Sequence, residues 1–373
     1  MQRATDLVCF SHLRWNFVFQ RPNHLMSRCA RERRVFFFEE PCFEGAVSHS
    51  VVREVEPNLF VVTPWLPVGL DEEAVSSELR RLLSEVLVSR QVSEPLLWFY
   101  TPMALAFAGA LPASLIVYDC MDELSAFHGA PARLRELERE LFARADLVFT
   151  GGASLYQAKR EQHADVHLFP SSVDVKHFSE AQRSLPEPPD QERLERPRVG
   201  FFGVIDERMD LDLIDRLARA RPNWQIVMVG PIVKIEPARL PRRPNVHYLG
   251  QKSYAELPRY LAGWDVAIMP FALNEATRFI SPTKTLEYLA GGKSVVSTPI
   301  QDVVSPYAEQ QLVRVADADG FVSAVAAALA EGSDPGKRSR VEAVLAQSSW
   351  DSTWSRMSRL IESKLATPES RAS

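Results

Sequence analysis

Apolar residues along this chain come in two rhythms. Short unbroken runs alternate with stretches where they recur every third or fourth position. The runs DLVCF, VFFFEE, LFVVTP, LLWFY, LIVYD and DLVFTG in the first half predict strands buried on both faces. The intervening stretches predict helices near 22–33, 72–88 and 132–145. In the last of these Leu134, Leu137 and Leu141 mark the buried side, and Arg133, Glu136, Arg139 and Glu140 the wet one. After about residue 197 the alternation restarts with RVGFFGV, WQIVMVG, VHYLG, VAIMPF and SVVSTP, and helices near 211–220, 254–262 and 283–289. Strands alternating with helices imply parallel sheets covered on both sides.

The stretch 181–197 breaks the pattern, with Pro186, Pro188, Pro189 and Pro197 among charged residues and little to bury. It reads as a linker. The expected organisation is an α/β chain of two doubly wound, Rossmann-like domains, 1–180 and 198–348, joined by that linker. A last helix at 349–366 follows, with Trp350, Trp354, Met357 and Ile361 at helical spacing. Ligands of such sheets sit at the carboxyl ends of the strands, so a cleft between the halves is the expected site.

A length of 373 residues agrees with two domains. The net charge of −5 argues against binding nucleic acid by bulk charge. Cys9, Cys29, Cys42 and Cys120 are scattered, with no CxxC pair, so neither a zinc site nor a disulfide framework is expected. No charge interrupts residues 96–118, a length that spans a bilayer, but Pro102, Gly109 and Pro112 divide it. Strand, helix and strand of a buried sheet is the better reading, and a cytoplasmic protein the expectation. Arg28, Arg31, Arg33 and Arg34 form the one local basic cluster that peripheral contact with the inner membrane would use; a solvated helix end is the competing reading.

Two segments carry candidate chemistry. In FFGVIDERMDLDLI, Gly203 ends a strand and lets backbone approach a ligand, and Arg208 follows in the loop, within reach of a diphosphate or of Asp206 or Asp210. In MPFALNEATRFISPTKTLEYLAGGKSVVSTP, Ser281 and Pro282 suit a helix start, and Lys284 then falls in the first turn. A cation there opposes the helix dipole unless an anion binds nearby. Glu287, one turn on among apolar neighbours, is placed to accept hydrogen bonds from hydroxyl groups. A capped structural helix is the alternative.

The order of these features resembles the GT-B-fold glycosyltransferases, specifically relatives of glycosyltransferase family 4. The matching segments are the Gly203 loop, IVMVGP, VHYLGQKSYAELPRYLAGWDVAIMPF, SPTKTLEYLAGGKSVVSTP, and HLFPSSVDVKHF at 167–178. The opening WNFVFQRPNHLMSRCA is similar to a bacterial subgroup tied to cell-surface polysaccharide assembly, and the closing tryptophans fit a helix crossing back to the first domain.

The resemblance implies transfer of a sugar from a nucleotide-diphosphate-sugar to a glycan or lipid-linked acceptor, retaining, with no metal and no cofactor. Glu287 would hold the ribose hydroxyls. Lys284, Arg208, Gly203 and the amides near Ser281 and Thr283 would hold the diphosphate, where fixed cations stabilise the leaving group. One departure stands out: the family often has a first glutamate where this chain has Phe279, and Asn274 and Glu275 are the nearest substitutes. Asp119 and Asp122, in DCMDE, would orient a sugar hydroxyl or serve as acid and base, with loop hydrogen bonding as the alternative. Trp15, Gln20, Arg21 and Gly151 would form the acceptor side, loop packing being the alternative for Trp15. Two other readings compete: a GT-B-fold epimerase or hydrolase of a nucleotide sugar, and a non-catalytic partner that binds nucleotide sugar or another transferase.

Overall fold

A computed structural model describes residues 4–332 and 334–366. In the first half lie β1 (Leu7–Phe10), β2 (Val35–Phe38), β3 (Cys42–Phe43), β4 (His49–Glu56), β5 (Leu59–Leu66), β6 (Leu96–Phe99), β7 (Leu115–Cys120), β8 (Leu147–Thr150) and β9 (Val166–Leu168). They form one sheet in the order β3-β5-β2-β1-β6-β7-β8-β9, parallel throughout, with β4 added antiparallel on β5. The second sheet contains β10 (Arg198–Phe202), β11 (Gln225–Val229), β12 (Val246–Gly250), β13 (Val266–Met269), β14 (Ser294–Ser297) and β15 (Arg314–Val315). Its order β12-β11-β10-β13-β14-β15 is parallel too. In both sheets the strand order reverses beside the first strand, and the crevice for a ligand opens there, beyond the ends of β1 and β10.

The uncharged segment 96–118 is β6, a short helical stretch and β7, with both strands buried in the first-domain core and the turn at 109–114 partly exposed. Among the described residues no helix is long and apolar enough to cross a membrane.

The proline-rich stretch corrects the expectation that it has little to bury. Gln191 is fully buried; its amide donates to the Tyr260 carbonyl at 3.0 Å and accepts the Trp264 indole N–H at 2.9 Å. Asp190 accepts from Lys252 and from the Tyr260 hydroxyl. Polar side chains with satisfied hydrogen bonds fasten this segment to the second domain, where composition alone shows a lack of large apolar residues.

The helix Trp350–Ala366 buries Trp350, Trp354, Met357 and Ile361 in the first-domain core beside Leu25, Met26 and Trp98. Its acids take up the basic cluster: Asp351 pairs with Arg28 and Arg31, and Glu362 with Arg33, while Arg34 pairs with Asp6. These arginines are therefore neither a free basic patch nor simply a solvated helix end.

Candidate active site in the interdomain cleft

The loop after β1 and the loop after β10 face each other. The first-domain loop is held from beneath. Buried Glu39 accepts the Trp15 backbone N–H at 2.6 Å and the Thr63 hydroxyl at 2.7 Å, and Asn23 bonds the Trp15 carbonyl and the Gln20 N–H. Thus fixed, the loop reaches the second domain, where the Gln251 amide donates to the Phe17 carbonyl and the Phe19 ring lies 4.6 Å from that of Tyr254. Trp15 is buried edge-on against Phe37, so loop packing occupies most of its ring, although it also touches the cavity.

Two adjoining cavities result. The larger, about 340 Å³, lies between loop 15–20 and the ends of β10 and β11, with Gly203, Gly230, Gln251, Lys284 and Glu287 in its wall. The smaller, about 110 Å³, is lined by Gln20, Arg21, Asp122, Gly151, Ser281, Thr283, Lys284 and Arg208. Gln20, Val204, Thr283 and Lys284 belong to both, so Lys284 stands at their junction.

Backbone geometry explains the glycines. Gly203 has φ +142°, and a Cβ there would lie 2.1 Å from Lys284 Cε. Gly230, at φ +145°, backs onto the Gly203 carbonyl, 1.9 Å from where its own Cβ would be. The two strand ends approach each other and Lys284 only because neither bears a side chain. A Cβ on Gly151 would meet the Met121 carbonyl oxygen at 2.6 Å.

Lys284 makes no hydrogen bond or ion pair among the described residues, and burial pushes its pKa down. Glu287, 9% exposed, is pushed up to about 7 by burial, with Lys284 pulling the other way. Across the small cavity, burial also raises Asp122, against the pull of Arg208. Arg208 is held by Asp206, Nη2 to Oδ2 at 2.6 Å, and its guanidinium lies over the Phe127 ring of the first domain. It is therefore both paired and at the cleft.

Other expected residues lie elsewhere. Asp119 is fully buried and accepts the Arg21 guanidinium side-on (Nε–Oδ2 3.0 Å, Nη2–Oδ1 2.8 Å); Arg21 Nη1 donates to the Phe169 carbonyl at 2.7 Å. This corrects the expectation that Asp119 orients a sugar hydroxyl or serves as acid or base: it is the counter-charge of Arg21 and lines neither cavity. Asn274 spends its side chain on the Thr277 N–H, and Glu275 is exposed, 3.8 Å from Arg278. Neither lines either cavity, so they do not replace the acid missing at Phe279. Phe279 instead packs against the first-domain core. Sequence reasoning passed over Gln251 and Asp302. Gly230, in the IVMVGP segment, did carry a signal as a glycine at a strand end.

A fold of two facing Rossmann-like domains with this cleft is the GT-B architecture, as known proteins show. A sucrose-phosphate synthase from Thermosynechococcus elongatus superposes with a TM-score of 0.73 at 14% identity, covering 97% of this chain and 99% of that one. A UDP-forming trehalose-phosphate synthase from Burkholderia xenovorans, in complex with glucose-6-phosphate, gives 0.69 at 13%, covering 96% and 100%. An E. coli trehalose-6-phosphate protein bound with UDP-2-fluoro glucose gives 0.69 at 13%, covering 97% and 99%.

Within that fold, residues 196–331 match the family of glycosyl transferases group 1. The chain is also 28% identical over 221 residues to TuaH of Bacillus subtilis (strain 168), whose name assigns it to teichuronic acid biosynthesis as a glycosyltransferase. That match covers 54% of this chain and 55% of TuaH, so the chain spans about half the length of the curated relative it matches.

Proposed function

We propose that this protein is a retaining, metal-independent glycosyltransferase that moves a sugar from a nucleotide-diphosphate-sugar to an acceptor hydroxyl in polysaccharide or glycolipid assembly. The observation that carries the reading is Lys284: a half-buried ammonium with no hydrogen bond or ion pair among the described residues, at the junction of two cavities, with the Glu287 carboxyl one helical turn on. The larger cavity takes the nucleoside, with Glu287 accepting from the ribose hydroxyls. Lys284, Arg208 and the backbone around Gly203 and Thr283 hold the diphosphate. The smaller cavity takes the sugar and the acceptor oxygen, with Gln20, Asp122 and Gly151 around them.

In the transfer, the bond from the anomeric carbon to the diphosphate oxygen breaks and a bond to the acceptor oxygen forms on the same face. The acceptor proton passes to a phosphate oxygen of the leaving diphosphate. Charge grows on that diphosphate, and Lys284 and Arg208 stabilise it there. Asp122 orients a hydroxyl across the small cavity.

A metal-free thermal-shift screen of UDP, GDP, ADP and dTDP and their sugars, beside Glu287→Ala, tests the donor site. One nucleotide should stabilise the protein and lose that effect in the variant; stabilisation by none overturns the reading. The absence of an acid at Phe279 favours a second reading, a partner protein without turnover. Donor binding with no product from any acceptor would support it.

A further inference from the structure

The domains also meet away from the Phe19–Tyr254 contact, at the far side of the small cavity. The short helix Gln301–Val303 follows β14 in the second domain, and its Asp302 reaches the first domain. There Asp302 Oδ1 accepts the backbone N–H of Ser154 at 3.0 Å, in the first turn of the helix Ala153–Lys159. Asp302 is 5% exposed, and its Oδ2 has no hydrogen-bond partner among the described residues. The residue before that helix, Gly152, has no side chain to cap it and no room for one. A Cβ there would lie 2.2 Å from Asp302 Oδ2 and 2.8 Å from Ser281 Cβ. A cap that a chain usually supplies from its own flanking residue is supplied here by the other domain.

Both ends of this contact lead to the small cavity. Gly151 and Ser281 line it, and the Ser171 hydroxyl donates to the Ser281 carbonyl at 2.9 Å, tying the same turn to the first domain again. At the far end of the helix, buried Lys159 pairs with Glu138 and with Glu123, each at 2.8 Å. Glu123 is the neighbour of Asp122, which faces the cavity.

We infer that Asp302 is a positioning residue for the transfer step. By capping the first-domain helix from the second domain, it sets the spacing between the Gly151 wall and the Ser281–Lys284 turn, and through Lys159 and Glu123 the placement of Asp122. It touches no substrate itself. The inference rests on the transferase reading above.

The test compares Asp302→Ala, Asp302→Asn and Gly152→Ala in the full chain. Misplacing reacting groups lowers turnover more than ground-state binding, so D302A should lower kcat about tenfold with donor KM within about twofold. D302N keeps an oxygen acceptor for Ser154 and should retain most of the rate. G152A forces Asp302 aside and should reproduce D302A, which keeps the test open if D302A folds poorly. Hydrogen exchange at the Ser154 amide reads the cap without activity: faster in D302A and G152A, unchanged in D302N.

Accelerated exchange with undiminished kcat, or exchange unaffected by D302A, overturns the inference. A wild-type protein that neither binds nucleotides nor transfers sugar overturns the transferase reading and the positioning role with it. Ser154 exchange would then still show whether the cap joins the domains.

Discussion

Lys284 and Glu287 stand one turn apart on the same helix, opposite in charge, the glutamate buried and the lysine half-buried at the cavity wall, yet without an ion pair between them. Each is shifted toward its neutral form by burial, and each is drawn back by the other. A diphosphate beside Lys284 and hydroxyl donors on Glu287 would favour the charged forms of both. The pair is thus held at the expense of stability, a common condition of binding sites.

That relationship sets a pH dependence. Unfolded, Glu287 titrates at about 4.3; folded, burial holds it at about 7. Between those values the folded state keeps a proton that the unfolded state has lost. Stability from this group is therefore complete below the unfolded value and is lost as pH rises through the folded one. Glu287→Gln should remove the loss and stabilise the protein at pH 8 relative to wild type by about 1–3 kcal/mol. Donor binding runs the other way: it should weaken as pH falls below the folded pKa, about tenfold from pH 8 to pH 5.5. Urea titration and nucleotide binding across pH check the two arms. A variant that is both less stable at pH 8 and fully able to bind contradicts both.

Gly203→Ala tests the backbone argument. The added methyl falls on Lys284 Cε, and φ is in the region that favours glycine. Donor affinity should drop because Lys284 is displaced, and stability should fall by about 1–3 kcal/mol from strain. Lys284→Ala should cost about 10²-fold in kcat/KM as an electrostatic contact to the leaving group. It should leave stability unchanged or improved, because a partly desolvated ammonium with no ion-pair partner among the described residues is removed. Kinetics and melting curves on the two variants separate strain from lost charge.

Glu275→Ala bears on the missing acid at Phe279. Glu275 is exposed, is 3.8 Å from Arg278, and lines neither cavity, so the substitution should leave kcat/KM within about twofold. Asn274→Ala removes a side-chain cap and should cost about 1 kcal/mol without a selective effect on donor KM. A large loss of activity in E275A would mean that this loop closes on the donor.

Much of this was legible because strand runs and helical spacing are local signals. Leu211–Ala220 falls where its periodicity puts it, and Gly203, Lys284 and Glu287 meet because one strand end faces one helix start. What sequence could not show depends on long-range pairing. The antiparallel strand His49–Glu56 lacks the unbroken apolar run that marks the central strands of its sheet, and Gln191 is buried by hydrogen bonds that composition does not reveal. Asp119 and Asp122, three positions apart, look equivalent in the sequence. Only the arrival of Arg21, 98 residues away, assigns one to an ion pair and leaves the other at the cavity.

Those two aspartates give the sharpest contrast. Asp119 is fully buried and joined to Arg21 by hydrogen bonds from Nε and Nη2, so Asp119→Ala leaves an uncompensated guanidinium in the core. Removing one partner of such a pair should destabilise by about 3–5 kcal/mol. Any activity lost by D119A should then follow the folded fraction, with donor KM unchanged in the protein that remains folded. Asp122 has no ion pair among the described residues, and burial raises its pKa, so Asp122→Asn should leave stability equal to wild type or higher. If it orients a hydroxyl in transfer, D122N should lower kcat by about 10²-fold at unchanged nucleotide affinity. Melting temperature and kcat measured on both variants decide it. Equal losses of stability would erase the distinction, and full activity in D122N would take Asp122 out of the reaction.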